Sequence, residues 1–326
     1  MPARTITVDQ KRHDTALGTL VRETLEVPWS EAKRLCHRGK VTVNGAARTD
    51  PGARVKSGDV VVIDPSAPAT AAAAGPTSGA GSAAAVQLDR ARLVFHDAHV
   101  AVFDKPPGIN TVPFEEGERG ALVDRLAVAL HRWGLAPANA PLFVVHRLDR
   151  ETSGLLVFGR TWLAQRHLAG LFRRHAIDRT YVALVCGHLR GERTIDTELV
   201  ENRGDGLRGS LKGGPTPRGA RRAVTHVRPL AELPGEGGAT LVECKLETGR
   251  QHQIRIHLAE SGHPVVGERV YIRGFGAPAL AAPRTMLHAR ALGFTHPARP
   301  EEEPVRFEAP WPEDFVAVAR RLGWRG

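Results

Sequence analysis

The sequence predicts an α+β fold: a body whose mixed, mainly antiparallel sheet carries packed helices, with a small α/β module in front. Three observations predict it. Apolar stretches of strand length outnumber what a regular alternation of strand and helix would supply. Among them run stretches with helical spacing. Residues 65–87, PSAPATAAAAGPTSGAGSAAAVQ, hold only Ala, Gly, Pro, Ser and Thr before a final Val and Gln, a linker composition that cannot bury a core. That linker divides a module, residues 1–64, from a body, residues 88–326.

In the module, DTALGTLVRETL sets Leu17, Leu20, Val21 and Leu25 on one helical face, and Ser30 is placed to cap SEAKRLCHRG, which ends at Gly39. KVTVNG alternates as a strand and stops at an Asn-Gly turn, and SGDVVVI supplies another turn and strand. Between Glu31 and Lys56 stand seven basic residues, Lys33, Arg34, Arg38, Lys40, Arg48, Arg54 and Lys56, against two acidic ones. A basic helix is commonly no more than a solvated face. The order here, a basic helix running into GKVTVNG and then GDVV, resembles the S-four RNA-binding domain, named for a ribosomal small-subunit protein. The resemblance covers most of residues 10–64. It implies an RNA-gripping appendage, with Lys33, Arg34, Arg38 and Lys40 as candidate contacts.

The body opens with LVFHDAHVAVFDKPPGINTVP, two strand-like segments and a Pro-Gly turn. ALVDRLAVALHRWG then places Leu122, Leu126 and Leu130 at helical spacing. PLFVVHRLD is a strand leaving its sheet, SGLLVFG a strand entering it again, and TWLAQRHLAGLFRRH an amphipathic helix. RTYVALVCGHL and ATLVECKLETG follow as strands, and RQHQIRIHLAESG as a helix closed by Gly262.

Forty-five Lys and Arg against 35 Asp and Glu give a formal charge of +10, and 42% hydrophobic content is ample for a core. The charge favours a polyanionic partner, nucleic acid first, or serves solubility. Cys36, Cys186 and Cys244 are far apart and form no C-x-x-C pair. They suggest neither a disulfide framework nor a cysteine zinc site and fit a reducing cytoplasm. The leading MPARTITVDQKRHD lacks the apolar run of a signal peptide, and no stretch reaches the roughly 18 apolar residues that span a bilayer. Neither export nor membrane insertion is expected.

Two constellations could carry chemistry. In VVHRLDRETSG, residues 144–154, Asp149 follows a buried-looking strand, at a position where loops often hold function. The plain alternative is an Asp bonding its own turn. The cationic neighbours His146, Arg147 and Arg150 favour a charged carboxylate, which suits a nucleophile or base and not a general acid. In TGRQHQIRIH, residues 248–257, helical spacing puts His252 and Arg255 on one face, with Ile254 and Leu258 as an apolar stripe. His252 and His257 are five apart and no Glu follows His252, so the H-E-x-x-H metal motif fails. Residues 202–222 carry Arg203, Arg208, Lys212, Arg218, Arg221 and Arg222 against Asp205. They form either a mobile loop that orders on RNA or an untethered surface insertion.

HRLDRETSG, RTYVALV, ETGRQHQIRIHLAESGHPVVGE and MLHARALGFTHP match, in order and spacing, the RluA-type family of RNA pseudouridine synthases, and DKPPG at 104–108 resembles that family's Lys-Pro-x-Gly block. The resemblance runs from about Leu93 to Phe315 and implies the pseudouridine synthase fold. It makes Asp149 the catalytic aspartate, Tyr181 the tyrosine that stacks on the target base and assists loss of its C5 proton, and Arg255 the partner of the aspartate. Arg147 then resembles the arginine that holds the base-flipped state, and Lys105, His146, Arg250, His252 and Gln253 are the further RNA-binding candidates. One departure is small: Arg221 opens RRAVT where the family often has Lys, which keeps the charge. The implied reaction cleaves the N1–C1′ bond of uridine, turns the uracil and rejoins it through C5. Nothing is oxidised or added, so no cofactor or metal is called for, and one ionised carboxylate suffices where a hydrolytic glycosidase usually needs two. The appended module points to large-subunit ribosomal RNA, with transfer RNA as the enzymatic alternative. A catalytically silent RNA-binding or ribosome-assembly factor is the reading from another class, and the intact Asp149, Tyr181 and Arg255 argue against it. A monomer acting on RNA, away from membranes, is expected.

Overall fold

The structure is a computed structural model that describes residues 3–67, 88–113, 120–210, 219–235, 237–272, 275–276 and 279–326. The linker expected at 65–87 lies almost wholly outside them. Among the described residues no helix is long and apolar enough to cross a membrane. Two units separate by their internal contacts: Met1–Ala84 with Leu199–Ala220, and Ala85–Glu198 with Arg221–Gly326.

The first unit opens with β1 (Arg4–Thr7), β2 (Thr15–Ala16), α1 (Leu17–Leu25) and α2 (Trp29–His37), followed by β3 (Val41–Val43), β4 (Ala46–Ala47), β5 (Arg54–Val55) and β6 (Val60–Ile63). Its sheet has the order β1-β6-β3-β4, with β2 and β5 paired apart from it. The expected stripe of α1 is its buried face: Leu17, Leu20 and Val21 meet Ala32, Leu35 and Cys36 of α2 and Val41, Val61 and Ile63 of the sheet. Asn44 and Gly45 both take positive φ (52° and 78°), the backbone that a two-residue hairpin turn needs. Pro28 occupies the N-cap of α2, so Ser30 falls inside the first turn and is not the cap the sequence suggested.

The second unit holds β7 (Leu93–His96), β8 (Val100–Lys105), α3 (Leu122–Arg132), β9 (Phe143–Val144), β10 (Ser153–Gly159), α4 (Trp162–Arg173), β11 (Asp178–Cys186) and most of β12 (Arg193–Val200). After β13 (Gly209–Ser210), which belongs to the first unit, come β14 (Arg221–Leu233), β15 (Ala239–Leu246), α5 (Gln253–Glu260), β16 (Leu287–Phe294), β17 (Val305–Glu308) and α6 (Glu313–Arg321). Its sheet runs β12-β14-β15-β11-β16-β10-β8-β7, with β17 added to β16 and β9 to β10. β11 pairs antiparallel with both β15 and β16, whereas β10 and β16 run parallel where Ser153 faces His288 and Gly154 faces Ala289. The unbroken apolar run of β10 is explained by cover on both faces of the sheet. Leu156 and Phe158 pack with Phe103, Leu122 and Leu126 on one side, and Leu155 and Val157 pack with Val100, Val102, Ala164 and Leu168 on the other.

The described part of residues 202–222 is not untethered. Within the first unit, Arg54 Nη2 donates to the carbonyl of Asp205 at 3.2 Å, and Gly206 (φ +83°) sits so close to Ala16 that a Cβ would lie 3.0 Å from that of Ala16. Lys212 and Arg218 lie outside the described residues. Residues 204–209, GDGLRG, have the spacing of a dinucleotide-binding glycine loop, but they lead into strand β13 and lack the helix N-terminus such a loop requires.

Candidate active site

Asp149 sits in the short loop between β9 and β10, and the sequence around it builds a rigid seat. The hydroxyl of Thr111 donates to the carbonyl of Leu148 at 3.0 Å and accepts from the Leu148 N–H at 3.1 Å. The carbonyl of Asp149 accepts from the N–H of Thr152. Next along, the carbonyl of Arg150 accepts from the N–H of Gly108 at 2.8 Å and from Lys105 Nζ at 3.0 Å. Beyond the loop, Gly154 takes φ +113°, and a Cβ there would stand 2.2 Å from the carbonyl oxygen of Ala289. Glycine ends the motif because β10 and β16 approach too closely for any side chain.

The Asp149 carboxylate faces a guanidinium and an imidazole. Arg255 Nη1 lies 3.3 Å from Oδ2, and His252 Nε2 lies 3.7 Å from Oδ1, too far for a hydrogen bond. Arg255 is gripped elsewhere: its Nε and Nη2 donate to the two oxygens of Glu268 at 2.7 and 2.8 Å. Burial works against the Arg255 charge, but the Glu268 hydrogen bonds and the charges of Glu268 and Asp149 outweigh it, holding the pKa above its ordinary value. The Glu268 carboxylate is itself buried and receives the N–H groups of Arg269 and Val270 at 3.0 and 2.8 Å. His252 is oriented by Tyr271, whose Oη lies 2.7 Å from its Nδ1. It is not the helix residue that its spacing suggested: it occupies the N-cap of α5 in a left-handed conformation (φ 59°), and still turns toward Asp149.

Tyr181 reaches the same place from β11. There it pairs with Cys244 of β15 and Ala289 of β16, and the register with β16 shifts between Thr180 and Tyr181, passing over Arg290. Tyr181 lines one cleft with Asp149, Arg255, His252, Arg147 and Arg250, whose apolar wall is Leu148, Leu246, Ile254 and Leu287. Among the residues lining that cleft, Asp149 is the only carboxylate. Burial raises the pKa of Tyr181, reinforced by Asp149 and opposed by Arg179, so the phenol stays neutral near pH 7. Arg147 is exposed and makes no hydrogen bond or ion pair with any described residue, which leaves a cation available at the mouth.

Three expected RNA contacts have other work. Lys105 is fully buried, its Nζ spent on the carbonyls of Pro106, Ile109 and Arg150, and burial draws its pKa down to about 7 against the pull of Asp149 and Glu151. Gln253 is buried too: its amide donates to Val224 O and Thr225 Oγ1, and its Oε1 accepts from Thr248 and the Arg250 N–H. His146 stacks on Phe172 at 4.6 Å, and its Nε2 accepts from the N–H of Val157. Burial and then Arg179 hold its pKa down to about 3, so it is neutral. Arg250 remains on the cleft, tethered by Nε to the carbonyl of Arg222. In the first unit Lys33 lies over the Trp29 ring and Arg34 pairs with Glu31, while Arg38 and Lys40 form no ion pair among the described residues. Glu268 and Tyr271 escaped the sequence reading; an acid ending the apolar run PVVGE was the available signal.

A family model described as RNA pseudouridylate synthase matches residues 99–260, and one described as S4 domain matches residues 19–61. A protein of Zymomonas mobilis named ribosomal large subunit pseudouridine synthase D is 33% identical, over 99% of this chain and 98% of that protein. One of the same name from Xylella fastidiosa is 37% identical, over 71% and 69%. Among solved structures, human RNA pseudouridylate synthase domain containing 4 matches with a TM-score of 0.55 at 24% identity, covering 71% of this chain and 92% of that one, a likeness of fold. With the near full-length match to its bacterial relatives, the chain belongs to the RNA pseudouridylate synthase family, as an RNA pseudouridine synthase of the RluA type carrying an S4 domain.

Proposed function

We propose that the chain isomerises uridine to pseudouridine at specific positions of large-subunit ribosomal RNA, with Asp149 acting on a uridine flipped out of its helix. The observation that carries this reading is the cleft with a single carboxylate, braced by Arg255 and facing Tyr181. A carboxylate that attacks C1′ and one that draws a proton from the sugar both need the ionised form, and here that group lies 3.3 Å from the Arg255 guanidinium. The N1–C1′ bond breaks and the base turns; C5 then bonds to C1′ as the carboxylate leaves that carbon or the sugar regains its proton, the C5 proton leaves and N1 gains one. Among the described residues no second carboxylate lines the cleft to direct water at C1′, which favours isomerisation over hydrolysis.

Flipping costs a few kcal/mol, and stacking on an aromatic ring returns about 1–3 kcal/mol per base. Tyr181 suits that stacking role; removal of the C5 proton by its oxygen would require a phenolate, which burial and Asp149 both disfavour. Arg147 and Arg250 supply cations for the phosphates of the flipped nucleotide. The relatives named for large-subunit ribosomal RNA and the S4 domain support that substrate class. The three buried, unpaired cysteines accord with a cytoplasmic setting.

The test is pseudouridine mapping of ribosomal RNA from cells that lack the gene, complemented with wild type or Asp149→Asn. A uridine that is modified only with wild type is expected. Modification restored by a folded Asp149→Asn protein would sink the assignment.

A further inference from the structure

We propose that Arg284 is a positioning residue for Asp149, and that α6, through Asp314, completes the seat of the catalytic loop. The inference rests on Asp149 being the acting carboxylate. Arg284 is 4% exposed, three residues before β16. Its Nη1 donates to the carbonyl of Glu151 at 3.1 Å, and also to those of Thr285 and Leu287 at 3.1 and 3.2 Å. Its Nε and Nη2 grip the carboxylate of Asp314, at the start of α6, at 2.6 and 3.0 Å. One planar fork therefore joins three elements: the loop two residues beyond Asp149, the strand that sends Leu287 into the cleft, and α6.

The other supports of that loop come from elsewhere. Thr111 holds Leu148, and Lys105 with Gly108 holds Arg150. Arg284 is the donor to the Glu151 carbonyl among the described residues, so its loss leaves the loop braced on one side. A lysine cannot replace it, because a single ammonium cannot reach a carboxylate and three carbonyls in the geometry of a fork. A displacement of the carboxylate by about 1 Å is enough to cost on the order of a hundredfold in rate. Arg284 and Asp314 both lie beyond residues 99–260, which the family model matches. On this reading the last helix serves the chemistry and not the core alone.

The experiment compares full-length wild type, Arg284→Lys, Asp314→Asn and the double variant, with exposed Glu313→Gln as the control from the same helix turn. Single-turnover conversion of an unmodified large-subunit ribosomal RNA transcript is measured with enzyme in excess, well below each melting temperature, alongside RNA affinity. Arg284→Lys is expected to lose about ten- to a hundredfold in rate with Kd within about twofold, and Asp314→Asn somewhat less. The double variant should lose no more than Arg284→Lys alone, since both act through one contact. A wild-type rate in folded Arg284→Lys, or a loss seen wholly as weaker RNA binding, overturns the inference. If Arg284→Lys does not fold, Asp314→Asn decides by the same two readouts. An active Asp149→Asn defeats the functional reading itself, whereas an inactive one beside a wild-type Arg284→Lys defeats only the positioning role.

Discussion

Arg255 is held at 2.7 and 2.8 Å by Glu268 and at 3.3 Å by Asp149, so Glu268 fixes the guanidinium and Asp149 keeps oxygen capacity for substrate. Glu268→Gln removes the charge that balances a buried cation while keeping the shape. It should destabilise the fold by about 3 kcal/mol, read from urea denaturation, and lower turnover as Arg255 shifts toward Asp149. Unchanged stability would mean that Asp149 alone balances Arg255. Asp149, Tyr181 and Arg255 were legible in the sequence because each belongs to a motif. Glu268 was not, because its partnership exists only once the turn after α5 folds back on that helix. That the polar atoms of Lys105, Gln253 and His146 are engaged inside the protein was not legible for a related reason. A sequence shows polar atoms close to a motif, but not whether backbone groups already consume them.

At the scale of elements, the strand-length runs and helical stripes foretold β8, β10, β11, β15, α1, α3 and α4, since period and burial follow from side-chain pattern alone. Left-handed His252 before α5 was not foretold, and neither was the packing of residues 199–208 within the first unit, because both depend on contacts distant in sequence. The loop around Asp149 gives a direct test of preorganisation. Thr111→Val keeps the side-chain shape but leaves the buried N–H and carbonyl of Leu148 without the hydroxyl that serves both. The cost should be about 1–3 kcal/mol in stability. Single-turnover rate should fall further than stability explains, with RNA affinity unchanged. A rate equal to wild type in the folded variant would show that the loop holds its shape without Thr111.

For the whole molecule, a formal charge of +10 leads us to expect RNA binding through phosphate contacts, so affinity should fall linearly with the logarithm of salt concentration. Deleting residues 1–64 should make that slope shallower, measured by filter binding; an equal slope would place the contacts outside the module. Stability depends instead on pH, through buried histidines. Burial holds the pKa of His257 and His288 down to about 4, and both of the His257 ring nitrogens lie within 3.0 Å of threonine hydroxyls. In the unfolded chain each titrates near 6.5. As pH falls from 6.5 toward 4 the unfolded state therefore binds more protons than the folded one, and each residue withdraws up to ~3 kcal/mol of stability. Glu268 and Asp314, whose pKa values lie below the ordinary carboxylate range, contribute their loss only in stronger acid. Lys105 acts in a separate window, raising stability as pH climbs from about 7 to 10.5. The melting temperature should consequently drop between pH 7.5 and pH 5. His257→Asn, less stable at pH 7.5, should show a shallower drop, because one of the titrating groups is gone. A melting temperature that stays level across this range would mean that His146, His257 and His288 take up protons as readily in the folded protein as in the unfolded chain.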